Sequence, residues 1–272
     1  MTKRQSASVR RQSRWTGIFI GLMGATFLSM TGCFSYRVPG AAANFRAIGI
    51  TPETLEEQTD LSISRLLERK PLASFPTSIA VVRVQGRQYR SHTSYGYGTG
   101  AFTVVTNRDV ESDEAFDQIN ELPMIRNLIP LNRIVLREQM NSEKDLREAA
   151  AAVQADMLLV YTFDTTFGVE EKFAPLSFIT LGLFPDDEAR VICTVSAALL
   201  DTRNGYVYGL AEATSQQSQL ANNWTSKTAI DQSRRRAEKE AFEKLIIELE
   251  KMWGRVVRQY GPPQADTAAA GF

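Results

Sequence analysis

Ala155-Asp156-Met157-Leu158-Leu159-Val160-Tyr161 decides the fold of this chain. Five apolar residues in a row are too short for a core helix, and they follow a helix at once. That placement suits a central strand covered on both faces. The helix before it is the clearest in the sequence. Ser142 has N-cap chemistry and Asp145 lies three residues on. Leu146, Ala149, Ala150 and Val153 then recur at helical spacing. A helix feeding a buried strand through two residues is the core unit of a layered α+β domain.

Working outward, Ile79 to Val84 reads as a second buried strand and Phe102 to Thr106 as a third. Asp113 to Leu122 is a short helix ended by Pro123, and Arg133 to Arg137 reads as another strand. Beyond Tyr161, strands are expected at Arg190–Leu200 and Gly205–Ser215, joined through Asn204-Gly205, a strong hairpin signal. A long helix from about Ser226 to Tyr260 closes the domain. Phe242, Leu245, Ile246, Leu249, Met252, Trp253, Val256 and Val257 form its apolar stripe. Asp231 to Arg236 is polar nearly all round, so those arginines are assigned to solvent. The expected fold is α+β: a mixed sheet of about five to six strands packed with helices, including the long C-terminal one.

The start of the chain has a different character. Lys3, Arg4, Arg10, Arg11 and Arg14 stand without an acid, an apolar run follows from Gly17, and Met30-Thr31-Gly32-Cys33 ends it. Charged, then apolar, then small is the layout of a secretory signal. The terminal cysteine makes it resemble a bacterial lipoprotein signal, cut before a cysteine that becomes lipidated. Met30 stands where that signal usually has leucine. An uncleaved anchor is the competing reading, but the run of about 14 residues falls short of the ~20 that span a bilayer. Phe34, rather than aspartate, follows Cys33; by resemblance to the sorting rule of two-membrane bacteria, this implies the periplasmic face of the outer membrane. The resulting organisation is signal peptide 1–32, tether 33–50, helical preface 51–76, α+β domain 77–260 and disordered tail 261–272.

Beyond the leader the chain keeps 26 basic against 31 acidic residues, a net charge of −5. Such a balance argues against nucleic acid as a partner, because phosphate backbones need a concentrated positive field. Of two cysteines, Cys33 is the lipidation candidate, and Cys193 reads as a small core residue within Val191-Ile192-Cys193-Thr194-Val195. No cofactor motif and no metal-ligand spacing occurs. The lone histidine, His92, sits in a polar stretch read as a hairpin tip and is expected to be dispensable. Tyr95-Gly96-Tyr97-Gly98-Thr99-Gly100 is glycine-rich, yet it precedes a strand rather than a helix N-terminus, so it is no phosphate loop. It reads as a loose aromatic connection whose Tyr95 and Tyr97, with Arg87 and Arg90, offer a binding rim. Pro185 to Glu188, the densest acid cluster, lacks calcium-loop spacing and reads as a solvated turn. Phe173 to Phe184 is unusually apolar between two strands. Phe178, Leu181 and Phe184 are therefore candidate contacts for a partner, with too few residues for a pore-forming hairpin.

The Ala-rich helix running into "ADMLLVYTFDT", the strand pair around "LLDTRNGYVYG" and the closing helix resemble a domain of other envelope proteins. It is shared by the curli-secretion channel lipoprotein, lipoprotein activators of penicillin-binding proteins and the N-terminal domain of the Tol–Pal translocation protein. The resemblance covers about residues 77–257. It implies a binding or assembly module with no catalytic residues, anchored through lipid at Cys33 and meeting an envelope protein partner. The alternative is an envelope glycan hydrolase working with two carboxylates.

Overall fold

A computed structural model describes residues 42–43, 59–171, 187–220 and 227–263, all within one compact unit, Arg37–Phe272. The elements are α1 (Thr59–Leu67), β1 (Thr77–Gln85), β2 (Thr99–Gly100), β3 (Thr103–Val105), α2 (Asp113–Asn120), β4 (Ile125–Pro130), β5 (Gln139–Met140), α3 (Glu143–Ala152), β6 (Met157–Glu171), β7 (Asp187–Asp201), β8 (Val207–Leu220) and α4 (Lys227–Tyr260). The class is α+β: among the described residues, a mixed six-stranded sheet with four helices, the last of them long.

β1 and β6 pair in parallel at the sheet's centre, Ile79 opposite Met157 and Val82 opposite Val160. β4 runs parallel to the first half of β1 and β3 antiparallel to its end. β6, β7 and β8 form an antiparallel meander. Residues on β1 alternate between two cores. Ala80, Val82 and Val84 meet Leu146, Ala149 and Ala150 of α3. Ile79 and Val81 face the other way, into the core that holds Phe116 of α2 and Phe242, Leu245, Leu249 and Trp253 of α4. Both faces of Met157–Tyr161 are buried, as its apolar run requires. Cys193 is fully buried, and burial pushes its thiol up to about 12. That is a core residue rather than a nucleophile.

Five local expectations need correction. Arg133 to Arg137 is not a strand: Asn132 accepts from the backbone N–H of Ile134 through Oδ1 (3.0 Å) and from that of Val135 through its carbonyl (3.3 Å). This Asx turn competes with strand pairing, and the strand is the earlier β4. The glycine-rich stretch is not loose. Tyr97 bridges Val104 antiparallel, and β2 pairs with β5. At Gly100, with φ +114°, a Cβ would meet the Met140 carbonyl oxygen at 2.1 Å, so only glycine fits. The hairpin expected at Asn204-Gly205 is present, but its second strand starts two residues after the Gly205 expected. Asp201 binds Tyr206 across the connection and β8 begins at Val207. Within the stretch read as a tether, Ala42 bridges Gln85 and the Ala43 N–H donates to Thr162 Oγ1 at 2.9 Å. The fifth correction, at the arginines of α4, defines the site below.

Candidate functional site: a buried charge cluster and its cleft

Alternation along β1 makes position 83 a core position, on the same face as Ile79 and Val81. The residue there is arginine, with 1% of its side chain exposed. A guanidinium at that depth is tolerated only when carboxylates and hydrogen bonds replace its water. The loop between β3 and α2 brings two acids: Arg83 Nη1 donates to Asp109 Oδ1 at 3.2 Å and to Glu111 Oε1 at 3.3 Å. Nη2 donates to the Tyr89 hydroxyl at 3.1 Å, and the guanidinium stacks 4.5 Å from the centre of the Phe163 ring.

A second buried guanidinium comes from α4. Arg234, expected in solvent, has no exposed side-chain surface. Its Nε donates to Asp231 Oδ1 (3.0 Å) and Nη2 to both Asp109 Oδ2 and Thr93 Oγ1 (3.2 Å each), while Nη1 binds Glu238 Oε2. Glu238 also lies 3.9 Å from Arg83 and accepts from Thr165 Oγ1 at 3.0 Å. Glu111 accepts from the Tyr161 hydroxyl at 3.0 Å. The cluster thus ties β1, the β3–α2 loop, β6 and the first half of α4 together.

The electrostatics follow from an imbalance. Asp109, Glu111 and Glu238 share Arg83 and Arg234, while Asp231 also meets Arg235 at 3.3 Å. Three shared carboxylates against two guanidiniums leave one acid in excess. Burial raises Glu238, and the two arginines do not fully offset it. Burial also opposes ionised Asp109, but Arg83, the Thr93 hydrogen bond and Arg234 outweigh it and hold that carboxyl low. Burial works against both charged guanidiniums too, and the acids around them more than compensate.

Beside the cluster a cleft of 370 Å³ opens between the β3–α2 loop and α4. Asp109 and Glu111 reach it from the buried side, so two carboxylates do meet at a cleft. Both are bonded to Arg83, and Asp109 is held ionised.

Of the residues singled out from sequence, Tyr95 and Tyr97 come together around a residue that sequence reasoning had assigned to a strand. Arg133 stacks 5.1 Å from the Tyr95 ring centre and 5.4 Å from that of Tyr97. Tyr95 is 57% exposed, and Ile134, next to Arg133, is 91% exposed. Arg87 is turned elsewhere, its Nε on the Gly100 carbonyl, and Arg90 is exposed. His92 is exposed at the tip of the turn closed by Ser91 and Ser94. Cys33, Phe178, Leu181, Phe184, the 1–32 leader and Pro185-Asp186 lie outside the described residues. Among the described residues no group of acids, histidine or cysteine has metal-site geometry, and no helix is long and apolar enough to cross a membrane.

No protein-family model matches the sequence, and no curated protein does either. Among solved structures, the chain is similar to a "putative lipoprotein" from Caulobacter crescentus CB15. The two share 19% identity over 37% of this chain and 69% of that one, with a TM-score of 0.23. The α+β assignment rests on this chain's own elements and pairing.

Proposed function

We propose that the protein is a lipid-anchored module of the cell envelope that binds a protein partner and carries out no catalysis. The observation that carries this reading is the leader. Five basic residues with no acid among them, an apolar run and Met30-Thr31-Gly32-Cys33 read as a lipidation signal ahead of the domain. Phe34 favours the periplasmic face of the outer membrane. The resemblance of residues 77–257 to envelope assembly domains supports the same class.

The partner surface is the patch made by Tyr95, Tyr97, Arg133 and Ile134. Aromatic and arginine side chains dominate the energetics of protein interfaces, and here they are stacked and held before any partner arrives. The glycines that pin this loop to β3 and β5 limit the entropy lost on docking. The charge cluster beneath keeps the Thr93 turn and the β3–α2 loop in place. Intact mass and membrane fractionation test the anchor. The mature protein should begin at Cys33 with added acyl mass, and Cys33→Ser should leave an unprocessed or released form. A variant that fractionates and migrates like wild type overturns the reading.

A further inference from the structure

The cleft beside the charge cluster has a sign opposite to that of the chain around it. One wall carries Arg108; the other carries Arg235, Arg236 and Lys239 from successive turns of α4. The two acids at the cleft, Asp109 and Glu111, are each paired from behind with a buried guanidinium, and four cations on the walls outnumber them. The wall cations are less committed. Arg108 pairs with Asp113, whose side chain is 86% exposed, and Lys239 is 3.9 Å from Glu243, which is 60% exposed. Solvent-facing pairs of this kind are weak and exchange readily for a better anion. Arg235 has only its Nε, 3.3 Å from Asp231, in an ion pair, and Arg236 has no ion pair or hydrogen bond among the described residues.

We infer that this cleft is a binding site for a phosphate-bearing ligand. Four cations from two elements converge on a volume that holds a group of diphosphate or sugar-phosphate size. Three of them are arginines, whose planar forks bind phosphate oxygens bidentately. Ser112 lines the same wall; its Oγ accepts from the Ala115 N–H at 3.2 Å and keeps its own proton to donate. The net charge of −5 beyond the leader makes the cleft a local exception, so the attraction is focused there rather than spread over the surface. The inference stands apart from the lipid anchor and from the tyrosine patch.

Phosphate of this kind reaches the protein either free in solution or on a lipid headgroup, and one experiment separates the two. Full-length protein in non-ionic detergent is titrated by calorimetry with inorganic pyrophosphate, and separately with dilauroyl phosphatidic acid carried in the micelles. Saturable binding of either, weakened by added salt, is the expected result. Binding of pyrophosphate assigns a soluble ligand, and binding of phosphatidic acid alone assigns a headgroup. Arg236→Ala/Lys239→Ala should weaken binding by about tenfold or more while thermal unfolding stays unchanged, since neither side chain is part of the buried cluster. Absence of saturable binding to both probes at low salt overturns the inference. So does binding that the double variant leaves intact.

Discussion

Replacing Arg234 by methionine keeps an unbranched apolar stem and removes the guanidinium with its charge. The guanidinium serves Asp231, Glu238, Asp109 and Thr93, and none of its side-chain surface is exposed. Loss of one partner of a buried ion pair costs about 3–5 kcal/mol, because the remaining charges stay in the low-dielectric interior unpaired. Here Glu238 and Asp109 are left to share the Arg83 guanidinium, which already serves Glu111. For a domain of roughly 180 residues, an unfolding entropy of about 2.1 cal/mol/K per residue converts that cost to a fall of about 8–13 °C in Tm. Urea unfolding followed by circular dichroism, with tryptophan fluorescence as a second probe, measures it. Adding Glu238→Gln to Arg234→Met removes one stranded acid and should recover part of the loss, with a coupling of about 0.5–3 kcal/mol. Arg235→Ala, one residue on and 42% exposed, should change stability by no more than about 0.5 kcal/mol. If Arg234→Met lies within about 1 kcal/mol of wild type, the guanidinium is not what holds those acids and the reasoning fails.

Glu238→Gln alone should be tolerated within about 1 kcal/mol, since it leaves Arg83 and Arg234 balanced by Asp109 and Glu111; a loss of 3 kcal/mol or more in urea contradicts the excess-acid argument. The two shifted acids act in opposite senses. Glu238, raised in the fold, costs stability at neutral pH, and the cost fades as pH falls through its folded value toward the ordinary glutamate range; Asp109, depressed in the fold, contributes stability above the ordinary aspartate range that is lost as pH falls through its folded value. Stability should therefore hold or rise on mild acidification and drop below about pH 4, and Asp109→Asn should flatten the acid limb of a Tm-against-pH curve. Leu249→Ala, at a position 4% exposed in the α4 core, should cost about 2–5 kcal/mol without changing oligomeric state in light scattering. His92→Ala should leave stability within about 0.5 kcal/mol by thermal unfolding.

Most of the fold was legible because its pattern is carried by apolar periodicity. Met157–Tyr161 had to be buried on both sides, Ser142 and Asp145 marked the start of α3, and Phe242 to Val257 faced the core as the stripe required. The errors came where polar groups override pattern. Arg133 to Arg137 has the composition of a strand, but Asn132 caps a turn there. Arg234 looked like a surface arginine because its neighbours Arg235 and Arg236 are. Its acids lie 3 residues before it, 4 after it and 125 before it in the chain, and the last distance is invisible to helical periodicity. One signal was present: Arg83 interrupts the apolar run Ile79–Val84 at a core position, and such an arginine has to be paired. The tyrosine rim was half legible. The stacking of both rings on Arg133 is not legible in the sequence, because nothing local links residue 133 to residue 95.

The central claim is that the tyrosine patch meets a protein partner at the membrane. A photo-crosslinking residue at position 95, in cells expressing the full-length chain, tests it most directly. A second site at Leu210, 62% exposed on β8, serves as the control. The account predicts one discrete protein adduct at position 95, absent at position 210 and lost when Arg133→Ala removes the stack. Equal labelling at both positions, or no protein adduct at position 95, contradicts it.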